Sequence, residues 1–586
     1  MREYLTIDLA SREVSRETWE GEQLARAGRY LIAKDLFERG VAKVDPLSPE
    51  NPLIFSVGAF AGSNMSNANR ISVGCKSPLT GGIKEANAGG TFGFAMGQAE
   101  ICGFTLENAA DDWVIIYITK DREVTFHDAK PYMGFGVIET AAKLHDVYGD
   151  KVALGILGPV GEYGGLMSGI SFSDPENRPV RIAARGGVGA VMASKKVKAL
   201  VCEKAKMPTF HDRKGVMVGV KDYGAKLRDD LAVQNMGAKG TALMADVMNG
   251  MGSLPVRNFS HGQIADIKVE RNRMGGDFIR EQNMARGGEP THACMPGCQI
   301  KCSNIYVNEK GEEVVSPLEY ETIGLLGTNC GLSDPDDVAY LNGIANDLGI
   351  DTIELGATLA LLMEKGEAEF GDVPFMEAAL EDIRKGTARG KLLAQGAARV
   401  GEHYGIRRVP VIKKQAISAY DPRVIEVTGL SMMLTAQGAD HTTGNLPQFE
   451  CDGKSTAELV VESLNIQMMC AAADSVGFCL FGRSVTNINH ELVVGAVNSA
   501  LGTELPDTFL KQIGIETLAY ENAFNAEAGF KPEDDELPEF FYGEALAPTQ
   551  KTARHHYAEA RQARDEWMKK ATADLKVSPL PADAVY

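Results

Sequence analysis

The pattern of apolar and polar positions changes character along the chain. Between 1 and 207 it consists of short apolar or alternating runs: EYLTIDL at 3–9, LIFSVGAF at 53–60, DWVIIYIT at 112–119, VALGILGP at 152–159 and VKALVCE at 197–203. Runs this short, rich in β-branched residues and separated in several places by Gly-rich turns, predict strands with a few helices between them. From 208 to about 415 the apolar residues fall at helical spacing. There Ser333 and Asp336 form an expected capping box for a helix at 335–347, Gly349 closes it, and Asp351 is the expected N-cap of a second helix over 352–366. Residues 416–586 carry a further helical pattern at 457–472 and a charged one near 551–573, read as a solvated or subunit-facing helix. No short repeat and no low-complexity segment stand out.

Composition narrows the setting. A chain of 586 residues exceeds one hydrophobic core and predicts two to four domains, and 44% hydrophobic with 24% charged residues is ordinary for soluble protein. The opening MREYLTIDLA places Arg2, Glu3 and Asp8 where a signal peptide needs an apolar core, and no run of about 18 apolar residues occurs. A cytoplasmic protein without a membrane span is therefore expected. The formal charge of −19 opposes nonspecific attraction to nucleic acid or anionic membrane. An acidic electron carrier would need a local basic patch; Lys195, Lys196 and Lys198 are one candidate, against the plainer reading of solvated surface lysines.

Ten cysteines are too sparse for a disulfide scaffold and read as ligands or packing thiols. Cys294, Cys298 and Cys302 cluster in THACMPGCQIKCS, 291–303. Pro296 and Gly297 argue against regular helix there, so the segment is expected to wrap as a loop that turns three thiols toward one point. Cys479 is the candidate fourth, because Gly477 two residues earlier lets the backbone approach a bulky ligand. Four thiolates suit a [4Fe–4S] cluster or a zinc ion; three in one loop plus one remote cysteine look more like the former, since zinc sites usually use two short hooks.

Two Gly-rich stretches suit a phosphate or polar heterocycle. In 66–93, Arg70 precedes a turn containing Asn87, Ala88, Gly89 and Gly90, and in 184–196 Arg185, Gly186 and Gly187 lead into small residues. The loops NDLGID, 346–351, and DSVGFC, 474–479, share one form and suggest two similar half-ligands gripped from two domains.

These paired loops and the four cysteines resemble the tungsten-containing aldehyde:ferredoxin oxidoreductase family. The likeness extends over Arg70 and the KSPLTGG…NAGG segment, ARGGVGAVMASK, GSLPVRNF at 252–259, EYET at 319–322 and GADH at 438–441. It implies an α+β fold: a β-rich N-terminal base domain of two sheets with helices, 1–207, covered by two mainly α-helical domains, 208–415 and 416–586. It further implies that Asn346, Gly349, Ile350 and Asp351 in one loop, and Asp474, Gly477 and Phe478 in the other, bind two pterins holding one tungsten (or molybdenum). Their phosphates would be bridged by Mg2+ near Asn87 and the Arg185–Gly186 backbone, with Arg70 between a pterin and the cluster. Two positions depart from the family's pattern: Asn346 stands where Asp is common, and the cysteines run C-x₃-C-x₃-C rather than C-x₂-C-x₃-C.

The resemblance implies oxidation of an aldehyde to a carboxylic acid, electrons leaving through the cluster to ferredoxin or to iron–sulfur or flavin partner subunits in an oligomer or hetero-complex. His441 is the expected general acid/base, because imidazole titrates near neutral pH. Glu319 and Glu321 are the carboxylate candidates; alternation along a strand would put both on one side, with Glu321 slightly favoured. Two other readings stand beside this one: the tungsten subunit of a low-potential aromatic-ring (acyl-CoA) reductase, and a noncatalytic metal-stabilised interaction subunit.

Overall fold

The computed structural model describes residues 1–575 and Val577; the remaining residues of the third expected segment lie outside the described ones. Twelve strands over residues 2–203 form two six-stranded sheets. The first contains β1 (Arg2–Asp8), β2 (Val14–Trp19), β3 (Leu53–Val57), β4 (Ile71–Lys76), β5 (Ile83–Ala88) and β6 (Ile101–Glu107), in the order β2-β1-β6-β3-β4-β5. The second contains β7 (Val114–Ile118), β8 (Val124–Asp128), β9 (Val152–Leu157), β10 (Ile170–Phe172), β11 (Arg181–Ala183) and β12 (Val197–Glu203), in the order β8-β7-β12-β9-β10-β11.

The second order is the first repeated strand for strand. The parallel pairs are equivalent, β1 with β6 and β7 with β12, and every other neighbour is antiparallel in both sheets. The helices match as well: Gly28–Glu38 precedes β3 as Val137–Tyr148 precedes β9, and Phe92–Gln98 follows β5 as Val188–Ser194 follows β11. The base is thus one unit used twice, a repeat of topology that no repeat of sequence announces. Leu5, Phe55 and Phe104 of one sheet and Ile116, Leu157 and Phe172 of the other share a single apolar core. Burial on both faces explains why β3, β4 and β9 contain no exposed residue.

The duplication positions the two echoing loops. Gly58 after β3 and Gly158 after β9 are equivalent, and a Cβ on either would lie 2.0 Å from a loop carbonyl, Val476 O and Leu348 O respectively. Farther along, Cys479 donates its N–H to Asn67 O at 2.7 Å, and Asp351 donates to Met167 O at 2.9 Å. Each loop is therefore seated on its own copy of the base unit in the same manner.

Beyond residue 204 the chain is mainly helical. The helix Pro335–Leu348 starts on Asp334, whose carboxylate accepts the Asp336 N–H at 3.0 Å, so Asp334 and not Ser333 is the cap. Gly349 closes it in the left-handed region at φ 68°, and Asp351 caps Thr352–Glu364 as expected. The pattern at 457–472 belongs to a longer helix, Thr456–Val476, opened by a reciprocal Ser455–Glu458 capping box and closed by Gly477 at φ 83°. The charged helix Tyr557–Asp574 is not simply solvated: Tyr557, Ala560, Arg564 and Met568 are buried along one side. A small three-stranded sheet, β13 (Glu289–His292), β14 (Ser303–Val307) and β15 (Glu313–Val315), brackets the cysteine loop.

The lysine patch does not exist on the surface. Lys195 and Lys198 are fully buried. Lys198 Nζ is held by Glu162 at 2.6 Å and by Leu157 O at 2.7 Å, and Lys195 Nζ by Asn108 O at 3.0 Å. Among the described residues no helix is long and apolar enough to cross a membrane.

Candidate functional site

The cysteine loop occupies the turn from β13 to β14 and contains no helix. Gly297, at φ 77°, makes the bend at which the loop passes within contact of Asn64. The segment 64–70 ties this loop to the one bearing Cys479: Ser66 Oγ accepts the Gln299 N–H at 2.9 Å, and Arg70 N–H reaches Gly477 O at 3.4 Å. Cys298, Cys302 and Cys479 lie in one apolar cluster with Cys294 at its edge.

Burial pushes the Cys294 thiol up to about 12, and repulsion from Cys298 and Cys479 adds to that, with Arg181 and Arg70 acting in opposition. Burial likewise raises Cys298 and, more strongly, Cys302, which is influenced by all three other thiols. Three buried thiols of one loop that resist ionisation suit a bound cation that would compensate their charge. Among the described residues, the only three His, Cys, Asp or Glu ligand atoms within 4.8 Å of one another belong to Asp174, Glu176 and His292. No three of the four thiols lie mutually that close, whereas a single tetrahedral zinc with Zn–S of about 2.3 Å would hold every pair at ~3.8 Å. Arg178 already pairs with Asp174 at 2.6 Å, and His292 with Glu176 at 2.8 Å, so that acidic group is internally neutralised.

Arg70 joins the thiols to the first Gly-rich turn. Its Nη1 lies 3.9 Å from Cys479 Sγ, its Nη2 donates to Asn87 O at 3.0 Å, and its Nε meets the Asn87 side chain. Ala88 is buried, Gly90 N–H donates to Cys294 O at 3.0 Å, and a Cβ on Gly89 would stand 3.1 Å from Cys294 Sγ. In the second Gly-rich turn the buried Arg185 guanidinium reaches Asp351 at 3.3 Å and Ala439 O at 2.6 Å, beside Gly186 and Gly187, both at positive φ.

The two loops differ in residue type at their first position. Asn346 is buried at the end of its helix, and Ile350 forms a bridge with Ser168. Asp474 is buried beside Arg29 Nη1 at 3.3 Å; burial and the neighbouring Glu85 raise its carboxyl to about 8 against the pull of Arg29 and Arg70. Phe478 packs edge-on against Phe60 and Tyr223.

His441 and Glu321 meet: Nε2 lies 3.4 Å from Glu321 Oε1, and Nδ1 lies 3.1 Å from Ser418 Oγ. Glu321 Oε2 accepts the Ala419 N–H at 2.9 Å, leaving Oε1 buried without a hydrogen-bond partner. Burial raises the Glu321 carboxyl, partly offset by His441. Glu319 does not share this side. It precedes the short helix Tyr320–Thr322, not a strand, and its carboxylate binds Thr241 Oγ1, with Cys302 among its neighbours. A helical turn separates what strand alternation would have aligned.

Residue-type reasoning missed the cations and anions beneath this pair. Lys84 Nζ binds Asp440 at 2.6 Å with both side chains buried; burial opposes ionisation of Asp440, but Lys84, Arg185 and His441 hold its carboxyl far below the usual range. Arg181 reaches His292, Ser303 and Ser316. Lys84 sits inside the KSPLTGG…NAGG segment and Asp440 directly before His441, so the motifs contained both, although nothing in their spacing singled them out.

Residues 4–204 match the family model described as aldehyde ferredoxin oxidoreductase, N-terminal domain, and residues 219–571 match that of domains 2 and 3. The chain is 32% identical over 572 residues to the tungsten-containing aldehyde ferredoxin oxidoreductase of Pyrococcus furiosus, covering 93% of this chain and 91% of that one. It is 25% identical over 582 residues to the aliphatic sulfonate oxidoreductase WOR-like subunit of the same organism, covering 91% and 86%. Its fold is shared with the active site complex BamBC of benzoyl coenzyme A reductase bound to 1,5-dienoyl-CoA, at a TM-score of 0.81 and 18% identity over 98% of this chain and 95% of that one. With both family models together spanning nearly the whole sequence, the chain belongs to the aldehyde ferredoxin oxidoreductase family.

Proposed function

We propose that this chain oxidises aldehydes to carboxylic acids at a tungsten centre held by two pyranopterins, electrons leaving singly through a [4Fe–4S] cluster on Cys294, Cys298, Cys302 and Cys479. Tungsten enters from the names of its Pyrococcus relatives. The observation that carries the reading is Arg70, which touches both the Cys479 thiol and Asn87, so that the four thiols and the Gly-rich turn form one interior.

The residues fit the groups. Asn346, Gly349, Ile350 and Asp351 would hold one pterin, and Asp474, Gly477 and Phe478 the other; the carboxyls of Asp351 and Asp474 suit an N–H-rich heterocycle. Asn87, Ala88 and Gly89, with Arg185, Gly186 and Gly187, would receive the phosphates and Mg2+. Three cysteines from one loop with a fourth from a remote one favour a multi-iron cluster over one zinc ion, which usually takes two short hooks.

When bound, such a centre supplies Lewis acidity toward oxygen and accepts two electrons. The oxidation adds water to the aldehyde carbon and releases two electrons and two protons. Glu321 Oε1, buried and unpartnered, accepts a proton there and passes it to His441 Nε2 at 3.4 Å. Ser418 fixes the imidazole through Nδ1, which leaves Nε2 for the exchange. Burial raises the Glu321 carboxyl above the ordinary carboxylate range, which favours its taking up a proton. Glu319, engaged by Thr241 near Cys302, has no part in this transfer.

Metal content of anaerobically purified protein tests the reading: tungsten or molybdenum near one per chain with about four irons is expected, together with benzaldehyde-dependent reduction of a viologen dye. Zinc in place of iron, or neither heavy metal, refutes it. Assaying aromatic acyl-thioester reduction in parallel separates the ring-reductase alternative, which shares the fold at 18% identity. A noncatalytic role does not suit a member of this oxidoreductase family.

A further inference from the structure

The duplicated base brings one guanidinium to the cysteines from each of its halves. Arg70 rests on Asn87 of β5, the edge strand of the first sheet, and touches the Cys479 thiol. Arg181 opens β11, the edge strand of the second sheet, and reaches the loop that carries the other three thiols. It is only 7% exposed. Its stem lies against Gly90, where a Cβ would stand 3.4 Å from Arg181 Cβ and 3.5 Å from Cγ. Gly90 in turn donates its N–H to Cys294 O at 3.0 Å.

The fork of Arg181 grips both ends of that loop. Nη1 donates to Ser303 Oγ at 2.9 Å, next to Cys302, and Nη2 lies 3.2 Å from His292 Nδ1, just ahead of Cys294. A guanidinium only donates, so Nδ1 is the accepting nitrogen and the ring's proton sits on Nε2, toward Glu176 at 2.8 Å. Arg181 Nε differs: it is buried and has no hydrogen-bond partner among the described residues. A buried donor left unmade is costly, and the free Nε–H therefore points to an acceptor outside the chain. The acids nearby are engaged elsewhere. Asp174, Glu176 and Glu313 each pair with Arg178, at 2.6, 3.0 and 2.9 Å, and Glu319 is bound by Thr241. Asp174 comes no closer to Arg181 than 3.8 Å, beyond a hydrogen bond. The charge of Arg181 is felt at the Cys294 sulfur, whose rise it opposes.

We infer that Arg181 raises the reduction potential of the cluster on Cys294, Cys298, Cys302 and Cys479, by its buried positive charge and by a free Nε–H for one of the cluster's sulfurs. The inference rests on the proposed reading of those cysteines. Taking up one electron adds one negative charge to the cluster, so a fixed cation beside it favours the reduced form. Hydrogen bonds to the sulfurs act in the same direction. The neighbouring carboxylates do not reverse the sign, because replacing Arg181 removes one positive charge and leaves every one of them in place.

The test is a redox titration of the anaerobically purified holoenzyme, followed by the low-temperature paramagnetic signal of the reduced cluster, in the parent, Arg181→Gln and Arg181→Lys. Iron per chain is counted first. In Arg181→Gln the ratio of reduced to oxidised cluster at the parent's midpoint should fall about tenfold, which for one electron is about 59 mV toward lower potential. Arg181→Lys keeps the charge but gives up the fork to Ser303 and His292, and its ratio should stay within about threefold of the parent's. Equal midpoints in the parent and Arg181→Gln overturn the inference, and so does a lysine variant that shifts as far as the glutamine one. If Arg181→Gln loses its iron, the lysine variant decides: iron kept with a parent-like midpoint sustains the role of the charge, whereas iron lost from both marks a merely structural fork and overturns it. A parent without a four-iron signal overturns the reading of the cysteines and this inference with it; a parent with the signal and unmoved midpoints overturns this inference alone.

Discussion

The duplicated base allows the two echoing loops to be perturbed one at a time. Gly58→Ala would place a methyl carbon 2.0 Å from Val476 O and 2.5 Å from its carbonyl carbon; Gly158→Ala would place one 2.0 Å from Leu348 O and 2.6 Å from its carbonyl carbon. Ordinary contact begins near about 3.4 Å, so either loop must retreat by about 1.4 Å. Neither glycine has positive φ, and the cost is therefore steric, about 1–3 kcal/mol for an overpacked site. A displacement of that size also lowers turnover about 10²-fold where groups must be held for reaction. The consequences then diverge, because only the loop on Gly58 carries a thiol. Gly58→Ala should lose iron and the low-temperature paramagnetic signal of the reduced protein along with activity. Gly158→Ala should keep iron near the parent level and lose tungsten and pterin. Iron and tungsten are counted by mass spectrometry on anaerobically purified protein, with Gly250→Ala as the control. A Cβ there meets nothing within 4 Å, and the helix gains up to about 1 kcal/mol of propensity. Equal loss of iron in both variants, or full metal content and turnover in both, would refute the assignment of one half-ligand to each loop.

Three further outcomes follow from the site. His441→Ala should keep the metals and lower turnover about 10²–10⁴-fold, roughly 3–5 kcal/mol of barrier; parent-like turnover rejects the proton-transfer role. Glu321→Gln should abolish the acid limb of the rate–pH profile, because the carboxyl must be ionised to accept a proton. It should also stabilise the fold increasingly between acid and neutral pH: the folded-state pKa is raised, so the parent's stability from this group is complete below the unfolded value and falls as pH rises through the folded one. Unfolding curves at the two ends of that window that show the same difference between variant and parent would contradict the buried-carboxyl argument. Cys298→Ala should lose visible colour and the paramagnetic signal, and an unchanged spectrum means that the four-cysteine assignment is wrong.

Much of the scaffold was legible because it rests on local rules. The runs at 53–60, 152–159 and 197–203 became β3, β9 and β12, and Asp351 became a helix cap, since short apolar runs and carboxylates at helix starts act within a few residues. The duplication was invisible for the opposite reason. Strands buried on both faces accept any well-fitting apolar residue, so β4 and β10 can be ISVGCK and ISF while occupying equivalent places. Topology is preserved by packing, which many sequences satisfy. The loops show their kinship because each needs a left-handed glycine, Gly349 or Gly477, against a base glycine that leaves no room for a side chain.

The misread residues share one cause: charge was judged without knowing what would surround it. Lys195 and Lys198 look like a solvated cluster, yet each ammonium is buried among backbone carbonyls, and Lys198 also has Glu162. Conversely Lys84 and Asp440, far apart in sequence, form a buried pair beneath His441 that neither motif discloses. Glu319 and Glu321 show the same limit at the scale of one turn. Whether two nearby carboxylates face one cavity depends on the backbone between them, and a helical step instead of a strand sends one to Thr241 and the other to His441. Sequence names the groups that can do chemistry, but their charge state and partners are set by packing from elements hundreds of residues away.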